Sequence, residues 1–230
     1  MVIKRRKIAK RDQPVDDTPT EAEKREIYKT KMKIKTSVSG GEFRGRNIYM
    51  PAHIRPTQNV TRKAIFDLLG HDLTGLTFLE LFAGSGAIGI EALSRGAEKV
   101  TFVEKDEKCL DVIRQNLGLL NLEFNSKNGW SYEIVEGDAL FTSKEFSRKN
   151  CKFDIVFIDP PYGMDLGKKS LKTLNAYDIL HPTSTLVIQH EVDEILPEKL
   201  GRFCIFKHKI YGKTAVDIFN VGPYVGDVDA

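Results

Sequence analysis

The chain has 230 residues, 41% of them hydrophobic and 29% charged, enough for one domain of ordinary size with a well-buried core. No apolar run approaches the roughly 20 residues that cross a bilayer, and the N-terminus lacks the apolar stretch of a secretory signal, so a cytoplasmic protein with no membrane partner is expected. Three scattered cysteines (Cys109, Cys151, Cys204) and five histidines without ligand spacing argue against a disulfide framework and give no metal site.

The net charge of +3 is unevenly spread. Residues 1–70 hold 17 Lys/Arg against 8 Asp/Glu, a balance of +9, and residues 71–230 carry a balance of −6. A basic front on an acidic body suits a polyanion such as nucleic acid. Residues 1–31 mix charges with Pro14 and Pro19 and read as a flexible basic extension. Within it KRRKIAKR (4–11) suits phosphate contacts and a solvated tail equally well. Met32 heads the next segment and could serve as an alternative start.

Residues 32–70 form a small N-terminal unit. Two short strands over 33–50 are expected around a Gly40-Gly41 turn, with Arg44 and Arg46 flanking Gly45. RPT (55–57) then leads into a helix over Val60–Leu69, with Ile65, Phe66, Leu68 and Leu69 on its apolar face. Residues 71–230 form the larger unit. Strands are predicted at 77–82, 99–104, 132–137, 153–159 and 184–191, with helices at 87–96, around 107–119 and at roughly 167–180. NSKNG (125–129) reads as a loop, and strands at 203–210 and 214–221 close the chain as a hairpin through Tyr211-Gly212. This alternation predicts an α/β fold, doubly wound and Rossmann-like. Its seven-stranded sheet is mainly parallel, with one antiparallel strand.

Gly84, Gly86 and Gly89 form GxGxxG between a strand and a helix, where a tight turn lets a ligand approach the helix N-terminus. Glu104 ends the following strand, 20 residues after Gly84, in place to accept from ribose hydroxyls. The pattern suits a nicotinamide dinucleotide as well as S-adenosylmethionine. Glu80 favours the second, since a carboxylate there repels a pyrophosphate and attracts an ammonium group. Asp138, after the third strand, could accept from an adenine amino group, although an Asp at that position also suits a helix cap.

Asp159-Pro160-Pro161-Tyr162 follows the strand FDIVFI, at the carboxyl end where open α/β sheets place ligands. An exocyclic amine of a nucleobase is a poor nucleophile, because its lone pair is delocalised into the ring. Acceptance by Asp159 and the Pro160 carbonyl favours the pyramidal amine that attacks a methyl group. The prolines stiffen the backbone that holds both acceptors, and Tyr162 offers a face for the unstacked base.

ELFAGSGAIGIEALSRGA (80–97) together with DPPY (159–162) resembles the amino-methyltransferases marked by a D/N-PP-Y/F motif. SGGEFRGR (39–46), RPT (55–57), AIFDLL (64–69) and IYGKTAVDIF (210–219) are similar to the RsmD-type 16S rRNA guanine-N2 methyltransferases. The resemblance covers about residues 33–221. It implies the class I methyltransferase fold, S-adenosylmethionine as cofactor and a guanine of 16S rRNA or the assembling small ribosomal subunit as target. By position it implies that Glu80, Phe82, Gly84, Ser85, Gly86, Gly89, Glu104 and Asp138 serve the cofactor. Asp159 to Tyr162 would hold the base, and Arg44, Arg46 and Arg55 would approach RNA or help order the front segment. QNVTRK (58–63) departs from the polar, acidic-containing stretch resembling TDRVRE that usually follows RPT. An adenine-N6 DNA methyltransferase is the nearest alternative, because DPPY serves either amine. A nicotinamide-dependent oxidoreductase is a more distant one. A monomer is expected.

Overall fold

The structure is a computed structural model that describes residues 34–51, 59–120 and 131–223. The extension 1–31, Arg55 and the loop expected at 125–129 lie outside the described residues. Two antiparallel strands, β1 (Ile34–Ser37) and β2 (Asn47–Met50), precede helix α1 (Asn59–Leu69). Then follow β3 (Thr77–Leu81), α2 (Ala87–Ser94), β4 (Lys99–Glu104), α3 (Glu107–Leu119), β5 (Ser131–Glu136), α4 (Ala139–Arg148), β6 (Phe153–Ile158) and α5 (Leu166–Ala176). The chain closes with β7 (Leu180–Glu191), β8 (Lys199–Leu200), β9 (Phe203–Tyr211) and β10 (Thr214–Val221).

The large sheet has the order β5-β4-β3-β6-β7-β10-β9-β8. Its first five strands are parallel, and β10 runs antiparallel to both β7 and β9. Seven strands are those expected from the sequence. The eighth, β8, is a two-residue pairing with β9 that no hydrophobic period announces, and it is a second reversed strand. From β3 the chain crosses to β4 on one side and later returns to β6 on the other. The carboxyl ends of β3 and β6 therefore flank a topological switch point, where such sheets open a crevice.

Both faces of the sheet are buried. Phe78, Phe102, Phe157 and Val187 point into one core, and Leu79, Val103, Val156 and Ile188 into the other. Strict alternation along strands that are apolar on both sides is the mark of a parallel sheet covered twice. Val38, Phe43, Ile48, Ile65 and Phe66 of the front segment complete the first core. Helix α2 is buried on every side, as an AIGIEALS sequence with few polar residues dictates. It ends at Ser94, two residues short of the span expected from sequence. Gly96 takes φ 92°, its N–H donates to Leu93, and the Ala97 N–H donates to Ala92, which is a Schellman closure.

Two local expectations are corrected. Gly40-Gly41 is not the hairpin turn: the chain reverses over Glu42–Gly45, with Gly45 at φ 81° donating to Val38. Gly41 is instead where the hairpin meets α2. A Cβ there would stand 1.8 Å from the Ser94 carbonyl oxygen, so only glycine permits the approach. Helix α4 was not foreseen, because its sequence ALFTSKEFSR buries only Ala139 and Phe146 among its apolar residues. Among the described residues no helix is long and apolar enough to cross a membrane.

Candidate active site

A cavity of about 520 Å³ opens at the carboxyl ends of β3, β4, β6 and β7, within the size range of small-molecule sites. One wall comes from β3, β4 and the glycine loop, with Glu80, Phe82, Gly84, Ser85 and Glu104. The other comes from β6, β7 and β10, with Asp159 to Tyr162, Gln189 and Thr214. Met50 and Thr61 of the front segment also line the cavity.

The glycine-loop wall is built from backbone constraints. Phe82, Gly84 and Gly86 all take positive φ (61°, 56° and 73°), which folds the chain back sharply after β3. Phe82 is a bulky residue in a left-handed conformation, a strain of the kind that gathers at functional sites. Gly86 precedes α2 without any side-chain cap. The acceptor at that helix end is Glu80, whose Oε2 receives the Gly89 N–H at 2.9 Å. A buried acidic side chain thus occupies the position where a dinucleotide fold would seat a pyrophosphate, which speaks against the nicotinamide alternative. Burial pushes the Glu80 carboxyl up to about 8, opposed by the helix-end N–H groups and reinforced by the nearby charges of Asp159 and Glu104.

Gly89 does not line the cavity. A Cβ on it would meet Phe102 Cε1 at 2.3 Å and Glu80 Oε2 at 2.8 Å, so its bareness lets α2 close on β3 and β4. Gly86 likewise lies against Phe102 and Ile113, both at 3.2 Å from a Cβ placed on it. Glu104 is held by the N–H groups of Gly84 (2.7 Å), Lys105 (2.8 Å) and Asp106 (2.9 Å). A carboxylate offers about four lone-pair sites, so this one is fixed in direction and keeps acceptor capacity at the cavity. Asp138 is not brought to the cavity lining. Its side chain caps α4 by accepting from Leu140 and Phe141, and its other oxygen lies 3.6 Å from Lys105 Nζ. Cys109 lines the cavity with its thiol pushed up to about 12 by burial and the acids Glu104 and Asp106, so it is no nucleophile.

On the opposite wall β6 delivers Asp159 directly after Ile158, in register with Ile188 of β7. Pro160 is buried and Pro161 exposed, so the DPPY turn runs from the core to the rim. Tyr162 does not swing freely: its hydroxyl lies 2.9 Å from Thr214 Oγ1, at the start of β10. Gln189 carries no motif, and Thr214, although within IYGKTAVDIF, was not singled out as a site residue from sequence. A glutamine within the apolar strand LVIQHE is nonetheless a readable signal, since such a position is buried and needs a reason to be polar.

The front segment is fastened to this site by a buried ionic cluster. Glu91 of α2 lies 3.4 Å from Arg62 and 2.9 Å from Arg95, and it accepts from the backbone and hydroxyl of Ser39 at 2.8 and 2.7 Å. Arg62 also reaches Thr36 and the Ser37 carbonyl, and Arg95 stacks 4.8 Å over Phe66. The segment 58–63 that departs from the family pattern therefore supplies a cavity residue, Thr61, and a core cation, Arg62. Arg44 and Arg46 are exposed on the hairpin turn, Arg46 lying 5.8 Å over the Phe43 ring, and neither lines the cavity.

Comparison with known proteins agrees with this layout. The family model described as Conserved hypothetical protein 95 matches residues 36–220. Ribosomal RNA small subunit methyltransferase D of Buchnera aphidicola (from Acyrthosiphon pisum) is 31% identical over 180 residues, 76% of this chain and 88% of its own. The Escherichia coli K12 protein of the same name is 29% identical over 184 residues, 79% of this chain and 88% of its own. Among solved structures, a hypothetical protein of Thermus thermophilus superposes with a TM-score of 0.67 at 29% identity, over 81% of this chain and 99% of that one. The front hairpin from Thr36 onward, the glycine loop and the DPPY turn fall within the matched range, and the chain belongs to the Conserved hypothetical protein 95 family, the family of the RsmD-type rRNA methyltransferases.

Proposed function

We propose that this protein is an S-adenosylmethionine-dependent methyltransferase that modifies the exocyclic N2 amine of a guanine in 16S rRNA, free or in the assembling small subunit. One observation carries the reading: the DPPY turn and the Glu80–Glu104 wall face a single cavity at the switch point of the sheet. The chemistry of the donor set fits the cofactor. Glu80, Glu104 and Asp159 put carboxyl groups around one cavity, an environment that attracts a ligand carrying a sulfonium and an ammonium charge.

Bound there, S-adenosylmethionine supplies a methyl group whose leaving group is a neutral thioether. The rest of the work belongs to the chain. Glu104, locked by three backbone N–H groups, presents a fixed acceptor to ribose hydroxyls. Glu80, on giving up its proton, provides a negative counterpart for an ammonium group at the root of the glycine loop. Asp159 and the Pro160 carbonyl accept from the target amine and direct its lone pair outward, and Asp159 is the group placed to take the proton that leaves as the N–C bond forms. Tyr162, steadied by Thr214, supports the face of the base. Arg44 and Arg46 stand outside the cavity on a basic turn, suited to the phosphates on either side of the target.

The test is transfer of labelled methyl from S-adenosylmethionine to 16S rRNA or small subunits from a strain lacking the enzyme, followed by nucleoside analysis. N2-methylguanosine is the expected product. N6-methyladenosine as the product would replace the guanine reading by the adenine one.

A further inference from the structure

Gln189 is a polar residue of the cavity to which the reaction outlined above gives no task. It is 4% exposed, it lines the cavity, and its Oε1 is buried with no hydrogen-bond partner among the described residues. A buried amide oxygen left unpaired is unfavourable, and in a substrate cavity the missing donor is naturally the ligand. Register sets its position. Ile158 of β6 pairs with Ile188 of β7, so the next residues along the two parallel strands are Asp159 and Gln189. On its other side Gln189 pairs with Val216 of β10, the strand that begins at Thr214 and so holds the Tyr162 hydroxyl. In sheet order Gln189 therefore stands between the acceptor assigned to the amine and the ring assigned to the face of the base.

We infer that Gln189 is the specificity-determining residue for guanine, its Oε1 accepting a hydrogen bond from the ring N1–H when the exocyclic amine is held by Asp159 and Pro160. This rests on the methyltransferase reading above. The chemistry discriminates because the two candidate amines have different neighbours. Beside N2 of guanine the ring nitrogen N1 carries a proton, whereas beside N6 of adenine it presents a lone pair. An acceptor fixed one position along the base edge is satisfied by guanine and repelled by adenine. A site built to receive a hydrogen bond rejects an analogue that lacks the donor far more strongly than an apolar pocket does.

The experiment uses the full-length enzyme and small subunits reconstituted with guanine or 2-aminopurine at the methylated position. The analogue keeps the 2-amine and loses N1–H. Wild-type enzyme is expected to favour guanine in kcat/KM by at least about a hundredfold. Gln189→Leu should shrink that ratio to less than about tenfold by losing activity on guanine, with affinity for S-adenosylhomocysteine within about twofold of wild type. Gln189→Glu, which keeps an acceptor, should preserve the preference. The Leu variant should melt no lower than wild type, since it removes an unpaired buried oxygen. An unchanged guanine preference in Gln189→Leu would overturn the inference, as would loss of cofactor affinity in step with activity. Failure of the wild-type enzyme itself on guanine subunits would instead overturn the reading of the function.

Discussion

The two walls of the cavity are built on opposite plans. On the glycine-loop side the polar groups satisfy one another: Glu80 takes the Gly89 N–H, and Glu104 takes three N–H groups from the loop and the head of α3. On the DPPY side the chain keeps an acceptor in reserve, the Gln189 oxygen that has no partner among the described residues. The first plan suits a ligand that is the same at every turnover, because a pre-organised wall loses little freedom when it binds. The second suits a substrate that must be tested, because an unmet acceptor turns the wrong base into a penalty.

The largest effect that would sharpen this contrast is expected at Asp159. Asp159→Ala should lower methyl transfer by about 10²–10⁴-fold while S-adenosylhomocysteine affinity, measured calorimetrically, stays within about threefold. Parallel loss of both would erase the distinction between the walls.

Gly89→Ala should break the other wall without touching a ligand. Its Cβ would stand 2.3 Å from Phe102, so α2 must shift, at a cost of about 1–3 kcal/mol in thermal or urea unfolding. Cofactor affinity should fall with it, through displacement of Glu80.

Glu80 allows a test by pH. Its carboxyl rises from 4.5 in the unfolded chain to about 8 in the fold, so the native state holds the extra proton. The contribution is fully present below about pH 4.5 and is lost as pH rises through about 8. Glu80→Gln should therefore be relatively more stable than wild type at pH 9 than at pH 5. Binding of a cationic cofactor near neutral pH should release a proton from wild type and none from the variant, seen as buffer-dependent binding enthalpies. Equal proton release from both would place the ammonium group elsewhere.

The smallest effect belongs to the exposed front. Replacing Arg44 and Arg46 together should reduce the salt slope of RNA binding by about 1–2 units, with little change in stability. An unchanged slope would remove both from the RNA face.

The sequence exposed the two walls unequally, for physical reasons. GxGxxG and DPPY are local strings whose backbone geometry is written in Gly and Pro, and the parallel strands declare themselves by apolar runs. What each glycine does is not local: Gly89 answers to Phe102 and Gly41 to Ser94, contacts that only the folded chain brings together. Asp138 illustrates the limit of reading by position, since the residue expected at the cofactor caps α4, one of the two roles that its place after a strand allowed. Glu91 was not singled out from sequence: it pairs with Arg95 four residues on and with Arg62, which lies in the segment that departs from the family pattern. Gln189 lies on a strand that carries no motif, and Thr214 lies inside IYGKTAVDIF, whose likeness to the family does not say which of its residues reaches the site.

On the reading proposed above, the two walls meet to methylate N2 of one guanine in 16S rRNA. The most direct test of that reading is mass spectrometry of 16S rRNA nucleosides from a strain lacking the protein, beside its parent. Loss of one N2-methylguanosine is expected, restored by the wild-type gene and not by Asp159→Ala. An unchanged rRNA profile, or restoration by Asp159→Ala, would contradict the reading.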